Sequence, residues 1–374
     1  MVHAKAFFDA FTRKGVRFFT GVPDSLLKDF CAHVTTRCNP RTHVIAANEG
    51  NAIAIAAGHH LATGKIALVY LQNAGLGNIV NPLLSLADPK VYGIPMVLVI
   101  GWRGEPGTKD EPQHRSQGPL TIPLLQTLGV PYKVLPTSER DAVRAVARAC
   151  DRAKKENRAV ALVVREGTFA PHPFLAPTNT YSLTREEALH ACVETLPSTA
   201  VVVSTTGKLS RELFEFRKAT GARHEKDFLT VGSMGHASQV ALGIALSQPR
   251  RPVYCFDGDG AALMHLGSLA IIAQAAPKNF KHIIFNNGTH ESVGGQPTAA
   301  FVTDLSAVAR ACGYAYVASV SDATALSKEL RRFKKARGAA FLEIRVKSSS
   351  RKDLTRPTRT PLENKRALMR YLKR

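Results

Sequence analysis

Two apolar runs break off into polar turn residues at a telling interval. Val253–Phe256 leads into Asp257-Gly258-Asp259-Gly260, His282–Phe285 leads into Asn286-Asn287-Gly288, and Asp259 lies twenty-eight positions before Asn287. One crossover helix fits between them, which makes the segment a strand–helix–strand unit. Strands so connected run parallel, and their carboxyl ends open on one edge of the sheet, where ligands of α/β proteins collect. Asp259 and Asn287 are therefore expected to meet.

A carboxylate and an amide oxygen at that edge suit Mg²⁺, a hard cation that binds a few protein oxygens together with phosphate oxygens. Gly258 and Gly260 leave room for backbone N–H groups to approach a diphosphate, and a helix expected over Ala261–Gln274 would turn its positive end toward it. The plain alternative is a tight turn after a buried strand, and the Asn-Asn at the end of the next strand argues against it. Rival nucleotide motifs are incomplete: Gly258–Leu263 lacks the third glycine of a dinucleotide fingerprint, and Gly64-Lys65-Ile66 lacks the Ser/Thr of a P-loop.

The rest of the chain repeats the strand–helix rhythm. Strands are expected near Val16–Phe19, His43–Ala46, Ile66–Leu71, Pro95–Ile100, Tyr132–Leu135 and Val160–Arg165, then near Ala200–Ser204, Phe228–Val231, Val253–Phe256, His282–Asn286, Tyr314–Ser319 and Ala340–Val346. A Pro-rich stretch, Ala170–Thr180, interrupts them. The reading is two doubly wound parallel-sheet domains, 1–170 and 185–347, joined by a linker at 171–184 and followed by a basic tail at 348–374. Six cysteines without a C-x-x-C pair read as reduced thiols, and no apolar run is long enough to span a membrane, so a cytoplasmic enzyme is expected. The net charge of +21 is concentrated late: from Leu326 to Arg374 there are 17 Lys or Arg against 4 Asp or Glu. No zinc-finger, KH or RRM pattern accompanies it, which argues against specific nucleic-acid recognition and leaves a mild steering role toward anionic substrates.

With these residues in view, the chain resembles the thiamine diphosphate (ThDP)-dependent 2-oxo acid decarboxylases. The Gly258-Asp259-Gly260 to Asn286-Asn287 pair looks like their cofactor motif, and His43–Ala52 resembles the turn that carries their activating glutamate. Phe19–Ser25, Gln72–Asn78, Asp110–His114 and Asn287–Thr298 are similar to the phosphonopyruvate decarboxylases, with sulfopyruvate decarboxylases nearest. The resemblance implies a pyrimidine-binding and a diphosphate-binding domain without a middle domain, and a homo-oligomer of at least two subunits that share the cofactor. It implies decarboxylation of 3-phosphonopyruvate, as in phosphonate biosynthesis, or of sulfopyruvate.

Residue by residue, the resemblance places Glu49 on the pyrimidine ring and Met234 as the apolar prop between the two cofactor rings, with the Gly232 carbonyl beside the amino group. It places Asp259, Asn287 and the Thr289 carbonyl on Mg²⁺, and Asn73, Thr206, Gly258, Gly260 and Ala261 on the cofactor. A lysine at 208 departs from the uncharged residue expected there. Asp24, His114 and His290 are the expected proton carriers, each with a duller reading as an N-cap, loop or surface residue. Arg103, Arg115 and the Gly294-Gly295 turn are expected at the anionic substrate, and the loop Gly101–Gly118 is expected to close over it. Two rivals stay open. An acetolactate-forming carboligase would need a flavin domain for which there is no room, and a basic interaction protein without catalysis would bind nucleic acid but no ThDP.

Overall fold

The computed structural model describes residues 1–374 apart from Lys352 and Arg374. It divides into two units: Met1–Ala176 with Ser292–Gln296, and Pro177–Glu291 with Pro297–Arg374. The first boundary, Ala176/Pro177, falls in a stretch without regular elements within residues 171–184; the other two flank Ser292–Gln296.

The first unit is built on β1 (Phe19–Gly21), β2 (His43–Ile45), β3 (Ala67–Gln72), β4 (Met96–Gly101), β5 (Tyr132–Val134) and β6 (Ala159–Val164). These form one parallel sheet in the order β2-β1-β3-β4-β6-β5. Leu68 and Tyr70 point into one apolar cluster and Ala67, Val69 and Leu71 into another, so helices cover both faces. The second unit repeats the plan with β7 (Val201–Ser204), β8 (Asp227–Leu229), β9 (Val253–Gly258), β10 (Phe280–Asn286), β11 (Tyr316–Val320) and β12 (Ala340–Arg345). Its parallel order is β11-β12-β10-β9-β7-β8, again between two apolar clusters.

Both sheets are wound alike. The first strand of each unit has its successor on the outer side and the third strand on the inner side, so the winding reverses between β1 and β3 and between β7 and β9. At such a reversal the loops leave in opposite directions and open a crevice beyond the carboxyl ends. Gly21–Asp24 and Gln72-Asn73 border the first crevice; Thr205-Thr206 and Gly258-Asp259 border the second.

Three expectations change in detail. Strand β1 starts at Phe19 rather than Val16, because the ladder begins where His43 and Leu68 stand opposite. The single helix expected over Ala261–Gln274 is two, Asp259–Met264 and Ser268–Ala275, broken where His265 leaves the helical region. The turn around Gly235 packs into that break, and a Cβ on Gly235 would sit 2.6 Å from His265 Cδ2 and 3.0 Å from the Ala261 carbonyl. The 348–374 stretch is more than a tail, since Pro361–Leu372 forms a helix with a Thr360/Glu363 capping box and belongs to the second unit. Its buried Asn364 accepts from the Leu229 N–H at 3.0 Å and donates to the Asp227 carbonyl at 2.7 Å, satisfying the open side of edge strand β8.

All six cysteines are free thiols. Among the described residues no helix is long and apolar enough to cross a membrane.

Candidate active site

In the second unit, the register pairs Phe285 with Gly258, so Asp259, one residue beyond that pair, and Asn287, two residues beyond it, leave from neighbouring tips. They touch: the Asp259 carboxylate accepts backbone hydrogen bonds from its own amide, from Gly260 and from Asn287, and Thr298 Oγ1 donates to it at 2.5 Å. Asp259 is buried, and burial among neutral donors pushes its pKa up to about 6. Asn287 directs Oδ1 toward the Thr289 N–H at 3.1 Å and Nδ2 toward Glu291 Oε2 at 3.2 Å. A buried carboxylate without a cationic partner among the described residues, an amide oxygen and a nearby carbonyl make a hard oxygen donor set, which fits Mg²⁺. Space fits as well, because a Cβ added to Gly258 would meet nothing within 4 Å.

Thr206, just past β7, accepts from the Gly232 N–H at 3.0 Å and so holds the Val231–Gly235 turn at the crevice. Ser233 there has φ +50, a left-handed conformation that a non-glycine residue adopts under constraint. Met234 is half-buried, and Ala261 is buried in the helix that starts at Asp259. His290 covers Gly260, whose added Cβ would lie 3.1 Å from the imidazole, and burial lowers its pKa to about 4.

Lys208 has a definite place. Its Nζ donates to Glu291 Oε1 at 3.2 Å and to Ser350 at 2.6 Å, while Arg185 reaches Glu291 at 2.7 Å and grips buried Glu212 with two further bonds. Burial alone would raise Glu291, but Arg185 and Lys208 overcome it and hold the carboxyl below its usual range. Glu291 thereby fixes which end of the Asn287 amide is left to point elsewhere.

In the first unit, Glu49 opens the helix Glu49–Thr63, whose N-cap Asn48 accepts from the Asn51 N–H at 2.9 Å. Glu49 is buried and accepts from Asn78 Nδ2 at 2.7 Å. Gly75 clears its path: a Cβ at 75 would lie 2.4 Å from Oε1. Asp24 spans the first crevice, accepting from Gln72 Nε2 at 2.5 Å and from the Leu26 N–H at 2.9 Å. Full burial raises its pKa against those hydrogen bonds. His114 is buried in the helix Pro112–Gln117, its Nδ1 has no partner, and burial together with Arg103 lowers its pKa.

Two expected ligand residues have other work. Asn73 commits both amide hydrogens to the chain, donating to the Arg103 carbonyl and to Thr121 Oγ1, each at 2.8 Å, and accepts from the Arg103 N–H at 3.1 Å. It is a clamp on the segment after β4. Arg103 itself forks onto Asp110 and donates to Ser25 Oγ at 2.7 Å, so its charge is already compensated. Burial works to raise Asp110, and the guanidinium overrides it to hold the carboxyl well below the usual range. The 101–118 segment, expected as a long loop that closes over the substrate, carries the helix Pro112–Gln117 and is tied down through Arg103, Asp110 and Asn73. Arg115 is exposed on that helix. Gly294 and Gly295 both have positive φ, in the segment that groups with the first unit.

Comparison with known proteins agrees with this geometry. Residues 1–123 match the model of the thiamine pyrophosphate enzyme N-terminal TPP binding domain, and residues 205–344 match that of the C-terminal TPP binding domain. A phosphonopyruvate decarboxylase of Streptomyces viridochromogenes is 37% identical over 97% of this chain and 93% of its own length. The chain belongs to the phosphonopyruvate decarboxylase family of thiamine pyrophosphate enzymes. A second such relative, from Streptomyces hygroscopicus, is also 37% identical over 97% of this chain and 92% of its own length. A sulfopyruvate decarboxylase of Methanosarcina acetivorans is 29% identical over 86% of this chain and 85% of its own length. Membership of this family accounts for the two halves: the N-terminal match takes in β1–β4 of the first sheet, and the C-terminal match takes in β8–β11 and most of β12 of the second.

Several contributors went unread in the sequence. Glu291 and Thr298 lie inside the segment that resembles the family, so their roles beside Asn287 and Asp259 were within reach. Arg185 carries no local signal at all, because it acts from a helix more than a hundred residues away.

Proposed function

We propose that this protein decarboxylates 3-phosphonopyruvate to phosphonoacetaldehyde and CO₂, using ThDP and Mg²⁺. The near full-length likeness to phosphonopyruvate decarboxylases carries the reading, and the meeting of Asp259 with Asn287 supports it. Bound ThDP supplies a nucleophilic carbon and an electron sink for the departing carboxylate.

The protein's own residues do the rest. Asp259, Asn287 and the Thr289 carbonyl would hold the metal, and Thr206, Gly258, Gly260 and Ala261 the diphosphate. Met234 and the Gly232 carbonyl would hold the cofactor's bend, and Glu49, fixed by Asn78 and given room by Gly75, would hold a proton on the pyrimidine ring. Loss of CO₂ consumes a charge, so a water-excluding pocket favours it, and the carbon left behind takes up one proton. Asp24 is suited to deliver that proton because burial keeps it protonated to higher pH than an ordinary aspartate. His114 and His290 are the other carriers, both neutral at pH 7 through burial. The enzyme would act in the cytoplasm as a homo-oligomer of at least two subunits, with the cofactor shared between them.

Purified protein given phosphonopyruvate, ThDP and Mg²⁺ should release CO₂ and aldehyde in equal amounts. No turnover, with good turnover of sulfopyruvate in its place, would move the assignment to the sulfonate, a reading favoured by the Methanosarcina relative.

A further inference from the structure

Within the first unit one buried amide has nothing to bind. Gln296 is 1% exposed, yet both Oε1 and Nε2 lack a partner among the described residues. Leaving a buried amide without partners forfeits the hydrogen bonds it made to water in the unfolded chain, so folds rarely keep one without a use. Its surroundings point to the use. The place a Gly294 Cβ would occupy lies 2.8 Å from Gln296 Oε1, 3.0 Å from Nε2 and 3.2 Å from Lys28 Cβ. Gly294 (φ +133) and Gly295 (φ +81) let the chain turn tightly against the amide, and no side chain can grow from 294 without displacing it. Lys28 is exposed and forms no ion pair among the described residues, and it begins the ten-residue helix Lys28–Arg37, whose N-terminus has no side-chain cap. Asp29 in the same first turn is engaged at 2.9 Å by the His172 N–H. A neutral buried donor, a free ammonium and an uncapped helix start thus adjoin one glycine turn. That combination selects a compact anion carrying several oxygens.

We infer that Gln296 and Lys28 form the subsite for the tetrahedral anionic head of the substrate, the phosphonate in the reading above, on which this inference rests. Gln296 Nε2 donates to one P–O oxygen while Oε1 can accept from a P–OH, and Lys28 supplies the opposing charge. Arg103, compensated by Asp110, is then not the principal recognition group.

The test is steady-state kinetics on the holoenzyme. Gln296→Leu should raise KM for phosphonopyruvate about tenfold or more, the loss of one hydrogen bond to a charged group, with kcat within a few-fold and ThDP affinity unchanged. Gln296→Glu, which sets like charge against the anion, should raise it further, and Lys28→Gln should raise KM more at low salt than at high. Methylphosphonate should inhibit wild type competitively and the Gln296 variants weakly. Unchanged KM in both Gln296 variants, with native melting curves, overturns the subsite. If wild type does not turn over phosphonopyruvate at all, the proposed function fails by itself. Calorimetry with methylphosphonate then decides the subsite: binding to wild type that Gln296→Glu abolishes sustains it, while no binding, or equal binding, overturns it.

Discussion

Side chains at the two crevices are held by partners that can be removed singly. Glu49→Gln keeps the size and the Asn78 contact but cannot share a carboxyl proton, so cofactor should still bind while kcat falls by about a hundredfold or more. Cofactor titration alongside turnover checks it, and near-normal turnover removes Glu49 from the chemistry. Glu291→Ala leaves the Asn287 amide free to rotate and removes one partner each from Arg185, which keeps Glu212, and Lys208, which keeps Ser350. Loss of a group that orients a metal ligand lowers metal affinity roughly 10- to 100-fold. Titration with Mn²⁺ followed by paramagnetic resonance, at saturating ThDP, reads that change apart from activity. Double substitution with Lys208→Met should not restore it, since neither change returns an acceptor for the Asn287 amide nitrogen.

Elements set these side chains where they are, and the tight approaches between elements are the weak points. Gly75→Ala forces a methyl into the space of Glu49 Oε1, so we expect about 1–3 kcal/mol of destabilisation together with a lower kcat, measurable by denaturant unfolding and turnover. Edge strand β2 offers a pH test. His43 on it shares a 2.8 Å hydrogen bond with Tyr70 Oη, and burial lowers its pKa to about 4. The unfolded imidazole, with a pKa of about 6.5, takes up a proton that the folded one refuses, so stability is full above pH 6.5 and is lost as pH falls toward 4. Unfolding free energy of wild type should drop across that window, and the gap to His43→Gln should narrow with it.

The strands themselves were legible because central parallel strands are continuous apolar runs, and Asp259 and Asn287 were legible because parallel connection forces both tips onto one edge. What stayed hidden was contact across the fold. Nothing local marks Asn73 as a clamp on Arg103, or Asp110 as the partner that compensates its charge. The helix break at His265 was likewise invisible, since its cause is the Gly235 turn thirty residues earlier in the chain. The terminal helix escaped notice because basic residues masked its apolar face, although its capping box was present in the sequence.

For the molecule as a whole, that terminal helix matters more than its charge suggests. Asn364→Ala leaves the Leu229 N–H and the Asp227 carbonyl unsatisfied in a buried place and should cost about 1–3 kcal/mol. A chain ended at Lys347 would lay the side of β8 open, and light scattering should then report association that the full chain does not show. The proposed sharing of cofactor between subunits predicts a mass of at least twice 40.5 kDa in solution, read by the same instrument.

The shared winding of the two sheets has one more consequence. Each half closes its own pair of apolar cores, the link at Ala176 carries no helix or strand, and Ser292–Gln296, which groups with the first half, is carried by the second peptide. Peptides 1–176 and 177–374, expressed together, should therefore reassemble into working enzyme, whereas either alone should stay silent; failure of the mixture to regain turnover would mean that the backbone bond itself is needed to bring the halves into partnership.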